Sequence, residues 1–350
     1  MKTTIGVNEV SKLKVAVIGC GSIARNRHLR EFNNHSEVEI VAVCDIVEAR
    51  AQEMANQYKT KAYTSYEELL KVEMLDAVSV CLPNYLHAPV SIDALHAGCH
   101  VLCEKPMATS KEEAVDMIKA AKSNNKKLMI AHNQRFVPSH AKARDLIIKG
   151  EVGKIYSFRT TFGHGGPEGW SVDGKDSWFF QKEQAFIGAM GDLGVHKADL
   201  LRYLLGEEFV EVAGFIETSA KKDTDVDDNA VCILKSESGV IGTLAASWAY
   251  TAKEDNSTII YGEHATLRLE DDPNYSLIVQ YKSGEVVNYE LGGIQSNAEG
   301  NQTTTHIIDH FVDSIVQDTD PLINGEEGMK SLEVILAVLE SMETKQFTRI

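Results

Sequence analysis

The stretch Val15 to Ser22, VAVIGCGS, constrains this chain more than any other. Val15, Val17 and Ile18 form a short, nearly continuous apolar run, the mark of a strand buried on both faces of a parallel sheet. The run breaks at Gly19 and Gly21, and Ala24 stands where a third glycine is common, so G-x-G-x-x-A opens into a helix-like SIARNRHLREF. In such a turn the first glycine permits the tight bend. The second lets backbone approach a pyrophosphate, and a small third residue lets helix pack on strand. Free N–H groups and the positive dipole end of the helix, around Ser22 and Ile23, then face the phosphates. A second apolar run, Val38 to Val43, ends in Asp45, about twenty residues beyond the glycines, where a ribose-binding acid is expected. The pattern predicts a dinucleotide site.

Beyond Asp45 the chain alternates. Helices are predicted over Val47 to Tyr58, Asn84 to Gly98 and Glu112 to Ser123, and a short one through Lys71 starts at a Ser65/Glu68 capping box. Between them lie the strands Ala62 to Thr64, Ala77 to Leu82, His100 to Cys103 and Lys127 to Ala131. Ser110 and Glu113 form a second capping box. Strands alternating with helices through short links predict a doubly wound parallel sheet, a Rossmann domain over residues 1–133.

The alternation then changes. A helix Pro138 to Lys149, a strand Ile155 to Phe162, a glycine-rich loop Gly163 to Gly174 and a helix Gly188 to Leu205 precede seven β-rich runs between Val210 and Leu291. Two helices, Thr304 to Val316 and Glu326 to Met342, close the chain. This predicts an α/β protein whose second domain, residues 134–350, is α+β with a large open, mainly antiparallel sheet. Helices on one face only would leave the other as an oligomer interface, so a dimer or tetramer through that sheet is expected.

With 350 residues there is mass for two cores. The net charge of -16, with no basic patch, argues against nucleic-acid and anionic membrane partners. Met1 to Val10 lacks the apolar core of a leader, and no apolar run approaches the roughly twenty residues of a membrane span. A cytoplasmic protein is expected. The six cysteines, Cys20, Cys44, Cys81, Cys99, Cys103 and Cys232, form no C-x-x-C pair and read as reduced, buried small hydrophobes. No metal site is expected, and the acidic run Asp223, Asp225, Asp227 and Asp228 reads as a solvated turn.

Several residues have the chemistry and placement for a site. Glu104-Lys105-Pro106 ends a parallel strand at its carboxyl edge, where ligands bind in such sheets. The proline disfavours helix at Lys105, which is therefore presented to the crevice. Asp192, His196 and Asp199 fall along one helical face, and an imidazole can accept a proton near neutral pH. Pro83, Asn84 and His87 follow the fourth strand at the cofactor edge, where Asn84 and His87 either touch the cofactor or cap their helix. Asn133 and Arg135, in HNQRF, follow the sixth. Trp170, Trp178, Phe179 and Phe180 flank the glycine loop and wall a sugar-sized pocket or fill core. Arg135, Arg159, Lys175 and Lys182 are candidates to hold a substrate phosphate.

Taken together, GCGSIA, VCD, CLPNYLH, CEKP, HNQRF and GDLGVHKADL resemble the glucose-fructose oxidoreductase, inositol dehydrogenase and MocA (Gfo/Idh/MocA) family over essentially the whole chain. Ala24 departs from the third glycine, and Ala-Met precedes Gly191-Asp192 where a glycine pair is commoner. The resemblance implies a Rossmann domain plus an open-sheet domain, a nicotinamide cofactor, and oxidation of a secondary hydroxyl of a sugar, sugar phosphate or cyclitol. Lys105, Asp192 and His196 would be the catalytic trio, with His196 as base. Lys105 would also touch the cofactor with Glu104, and substrate would meet Lys105, Asn133, Arg135, Trp178, Asp192 and His196. Asp45 followed by uncharged Ile46 predicts NAD rather than NADP. Two other activities fit the same resemblance, an NAD-dependent glycoside hydrolase and a non-catalytic sugar or dinucleotide sensor.

Overall fold

In the computed structural model, which describes residues 12–294 and 304–350, six parallel strands make the first sheet. They are β1 (Leu13–Ile18), β2 (Val38–Cys44), β3 (Lys61–Tyr63), β4 (Ala77–Val80), β5 (His100–Cys103) and β6 (Leu128–Ile130). Their order is 3-2-1-4-5-6, the doubly wound arrangement in which ligands bind where the order reverses, here between β1 and β4. β4 is buried at every position and β1 over its last four, as a sheet covered on both faces requires. Met1 to Val10, read for a leader, lies outside the described residues.

The second sheet has nine strands: β7 (Ile155–Gly163), β8 (Phe209–Glu217), β9 (Asn229–Ser236), β10 (Ile241–Ser247), β11 (Thr258–Gly262), β12 (Ala265–Leu269), β13 (Leu277–Tyr281), β14 (Val286–Tyr289) and a terminal β15 (Thr348–Arg349). β7 and β10 pair parallel and the remaining neighbours antiparallel. Along β9 burial alternates strictly, with Ala230, Cys232 and Leu234 facing the core and Val231 and Ile233 exposed. Helices Val195–Leu205 and Gly325–Thr344 cover the inner face. Tyr156, Phe215, Ile233, Ile241 and Tyr261 are exposed, and Phe215 is 80% accessible. Among the described residues no helix is long and apolar enough to cross a membrane.

The chain divides less simply than a cut at residue 133. Helix Ile307–Val316 returns to the first core, where Ile307, Ile308, Phe311 and Val312 pack with residues of β1 and its neighbours. Ile323 joins the same core, and its carbonyl accepts the Ile130 N–H at 2.9 Å. The apolar stripe of this helix fits either core, and the sequence does not say which; in the structure it packs beside the helix Leu29–Asn34. The acidic run is also corrected. Asp227 and Asp228 are buried, and Asp228 accepts the amides of Ser219, Ala220 and Lys221, while only Asp223 and Asp225 are exposed.

Candidate active site

One cleft of about 760 Å³ runs from the glycine turn to the inner end of the second sheet. Gly19 is fixed by the protein itself: its φ is +94°, and a Cβ there would lie 2.1 Å from the Cys81 carbonyl oxygen. A Cβ on Gly21, in contrast, would meet nothing within 4 Å, so that glycine leaves open space on the cleft wall. Ser22 and Ile23 follow on the same wall, and the Ser22 hydroxyl donates to the Trp170 carbonyl at 2.8 Å. Asp45 closes the far end of this wall. Its two oxygens accept the Cys20 and Val47 amides, each at 2.8 Å, which aims the carboxylate at the glycine turn and leaves lone pairs toward the cleft. An open glycine, free helix-start amides and an anchored acid fit a dinucleotide.

Beyond the glycine turn, Glu104 lines the cleft but is already engaged. Its Oε1 accepts from His28 Nε2 at 2.8 Å and stands 3.4 Å from Arg27 Nη1. Burial disfavours the charged His28 ring, yet its contacts with Cys81 and Glu104 outweigh that and raise it to about 10. Burial likewise opposes ionisation of Glu104, but His28, Arg27 and Lys105 hold it at about 2. His87 is buried between the Pro106 and Leu82 carbonyls, bracing the loop that carries Lys105. Asn84 donates to the Ala185 carbonyl at 2.8 Å and so ties the two sheets' surroundings together. Pro83 forms the wall beside them.

Lys105 reaches across the cleft. Its Nζ donates to Asp192 Oδ1 at 2.8 Å and to the Asp192 carbonyl at 2.9 Å, while Trp248 Nε1 donates to Asp192 Oδ2 at 3.2 Å. Asp192 lies in a wide π turn, Met190–Gly194, that runs directly into the helix Val195–Leu205. Such turns break the regular ladder and are frequent at functional sites. This one is pinned by Asp227, whose oxygens accept the Gly188 and Met190 amides at 2.7 and 2.8 Å. Gly188 is required there, because a Cβ would lie 1.9 Å from the Asp227 carbonyl oxygen. His196, one turn on, also lines the cleft. Its Nδ1 is buried without a hydrogen-bond partner among the described residues, leaving Nε2 as the nitrogen open to the cleft. Burial, then Lys105, His132, Arg27 and Lys197, push the ring well below the ordinary histidine value. It is therefore neutral at neutral pH and able to accept a proton.

Around this trio the wall is aromatic and amide-rich. Trp178 stacks on Phe179 with ring centroids 3.9 Å apart, and Trp170 meets Phe179 edge-on at 5.2 Å. Phe180 instead packs in the core against Trp248. Asn133 lines the cleft with a buried, unpartnered Oδ1. His164, which the sequence reading passed over inside its glycine loop, projects here from the end of β7. Because its Nδ1 accepts the Gly166 amide at 2.9 Å, its proton sits on Nε2 and the ring offers the cleft a donor.

Four expected contacts are absent. Arg135 does not line the cleft; its guanidinium is buried in a two-bond pair with Asp199 at 2.7 and 2.8 Å and reaches Glu327 at 2.9 Å. Asp199, bonded also by the Ser331 hydroxyl, is committed to that pair and lies off the cleft wall. Arg159, Lys175 and Lys182 are exposed and off the cleft wall, so none is placed to hold a substrate phosphate.

Comparison with known proteins agrees with this geometry. Residues 13–132 match the family model described as oxidoreductase family, NAD-binding Rossmann fold, and residues 140–268 match the GFO/IDH/MocA C-terminal domain. A levoglucosan dehydrogenase of Pseudarthrobacter phenanthrenivorans is 30% identical over 278 residues, 72% of this chain and 68% of that protein. A D-glucoside 3-dehydrogenase of Escherichia coli is 34% identical over 198 residues, 56% of this chain and 55% of that protein. A solved levoglucosan dehydrogenase in complex with NADH and L-sorbose superposes with a TM-score of 0.83 at 26% identity, covering 97% of this chain and 99% of that one.

Proposed function

Since the chain belongs to the Gfo/Idh/MocA family of NAD-dependent oxidoreductases, we propose that it oxidises a secondary hydroxyl of an uncharged sugar or cyclitol to a ketone. The observation that carries this reading is the meeting of Lys105, from the first sheet, with Asp192, from beneath the second, in a cleft they share with His196. NAD would lie along Gly19, Gly21, Ser22, Ile23 and Asp45, and when bound it accepts the hydride.

The chain's own residues handle the proton and the charge. His196 Nε2 takes the hydroxyl proton as the C–H bond breaks. Lys105 Nζ donates to the reacting oxygen and stabilises the negative charge that grows there. Asp192, held by Trp248, keeps the ammonium aimed and accepts from a neighbouring hydroxyl. Trp170 and Trp178 offer apolar faces to a sugar ring, and His164 and Asn133 offer a donor and an acceptor to its hydroxyls.

An uncharged substrate is favoured because the cations on the cleft wall are committed: Lys105 to Asp192, Arg50 to Asp173 and Arg27 to Glu104. The exposed apolar face of the second sheet supports a homo-oligomer built on it, and six free cysteines fit a cytoplasmic setting.

The test is reduction of NAD with a panel of levoglucosan, a glucoside, glucose, myo-inositol, scyllo-inositol and glucose 6-phosphate. Turnover is expected with at least one neutral member and not with the phosphate. Release of an aglycone with no net change in cofactor would instead mark a hydrolase, and binding without either signal a sensor.

A further inference from the structure

Behind His196 stands a second imidazole to which the reaction above gives no task. His132 follows β6 and is 1% exposed, and neither of its ring nitrogens has a hydrogen-bond partner among the described residues. The same holds for His196 Nδ1. The planes of the two rings are near-perpendicular, at 85°, with centroids 6.3 Å apart. Buried polar groups are nearly always paired, and one left unpaired costs about 1–3 kcal/mol, so three unpaired nitrogens in neighbouring rings need a common explanation. A direct N–H···N bond would bring such centroids to about 5 Å, and a single water between the rings sets them about 6–7 Å apart.

The surroundings rule out the usual alternative, a carboxylate behind the catalytic imidazole. Of the two carboxylates on the same stretch, neither bonds His196: Asp192 holds Lys105 and Trp248, and Asp199 holds Arg135 and Ser331. His196 also meets Phe162, tilted at 51° with ring centroids 5.8 Å apart. The charged groups facing His132 are Asp199, Arg135, Lys105 and Arg202, and those facing His196 are Lys105, Arg27 and Lys197. Burial, outweighing Asp199 and aided by the three cations, lowers His132 to about 4, so at neutral pH it has one lone pair to offer.

We propose that His132 is a positioning residue for His196. Through one bridging water it accepts the Nδ1–H of His196. This holds the tautomer whose lone pair is on Nε2, and it draws off part of the positive charge when His196 is protonated. The balance is simple: the substrate O–H bond breaks, an Nε2–H bond forms, and the Nδ1–H bond stays. The role rests on His196 being the base, but the tautomer does not.

The protein labelled with ¹⁵N-histidine decides the matter without turnover, because two-bond ¹H–¹⁵N correlations report which nitrogen carries the proton. His196 is expected as the Nδ1–H form in the unaltered protein, shifted toward Nε2–H in His132→Leu, and restored in His132→Asn, which keeps an acceptor. With a neutral substrate, kcat should fall roughly ten- to a hundredfold in His132→Leu, with KM little changed, and recover in the asparagine variant. An Nε2–H tautomer in the unaltered protein would overturn the proposal. So would an unchanged tautomer and kcat in His132→Leu. The expected tautomer shift with no oxidation of any substrate would leave this positioning intact and refute the proposed reaction instead.

Discussion

Lys197 offers the sharpest quantitative test of how this interior is built. The residue is fully buried, and its Nζ donates to the Asn256 carbonyl at 2.7 Å and more weakly to Thr258 Oγ1 at 3.4 Å. Glu270, Asp255 and Glu254 favour its charged form, but burial prevails, lowering it from 10.5 to about 7. Each tenfold change in proton affinity is about 1.36 kcal/mol, so the charged form costs roughly 5 kcal/mol in the folded state. Lys197→Met removes that cost and leaves the Asn256 carbonyl unpaired, at about 1–3 kcal/mol. Below pH 7 the variant should therefore be the more stable by about 2–4 kcal/mol. Between about pH 7 and 10.5 the unfolded chain holds a proton on Lys197 that the folded chain does not, so wild-type stability rises with pH relative to the variant. By pH 10.5 the order reverses, and methionine is the less stable by about 1–3 kcal/mol. Urea unfolding of both proteins at pH 6, 7, 8.5 and 10 measures the difference directly. A difference that stays flat across that range, or a methionine variant less stable at pH 6, would refute the reasoning.

Other outcomes follow from the cleft. Lys105→Ala and His196→Ala should each lower kcat by roughly two orders of magnitude or more in a steady-state assay, as loss of a charge-stabilising or proton-accepting group does. Because Asp45 would repel a 2′-phosphate, initial rates should favour NAD strongly, and equal kcat/KM with NADP would count against that assignment. Glu104 is held at about 2 against an ordinary 4.5, so it contributes stability that is present above pH 4.5 and lost as pH falls toward 2. Glu104→Gln should cost about 3 kcal/mol at pH 7, seen as a lower urea midpoint, with the gap closing in acid. Finally, Phe215→Asp should shift the sedimentation coefficient toward the monomer if the open sheet is an interface.

What was legible in the sequence is what local pattern encodes. The glycine turn, the capping boxes at Ser65 and Ser110, and the strand and helix positions follow from periodicity and punctuation within a few residues. Partner choice is another matter. Arg135 reads as a free cation beside a pocket, yet its carboxylates lie 64 and 192 positions away, at Asp199 and Glu327, and only the packed topology brings them together. Asp227 looks like one of four solvated acids until the turn before Asp192 is seen to need its two oxygens. His164 was hidden because a histidine between glycines carries no helical or strand period to mark its direction. A residue's face can be inferred from spacing, but its partner across sheets cannot.

The same long-range contacts explain how a site split between two sheets can be accurate. Lys105 and Asp192 would drift apart if a single hinge near residue 133 joined their units. Instead the chain crosses back: helix Ile307–Val316 and Ile323 pack in the first core, and helix Gly325–Thr344 then covers the second. Glu327, at the start of that last helix, joins both Arg135 and Arg202, so the crossing is clamped where it leaves the first sheet. On the opposite side of the cleft, Ser22 holds the Trp170 carbonyl, Asn84 holds the Ala185 carbonyl, and Arg50 pairs with Asp173. Ties on both sides leave the relative position of ammonium and imidazole to folding rather than to the substrate, which is the preorganisation that electrostatic catalysis depends on.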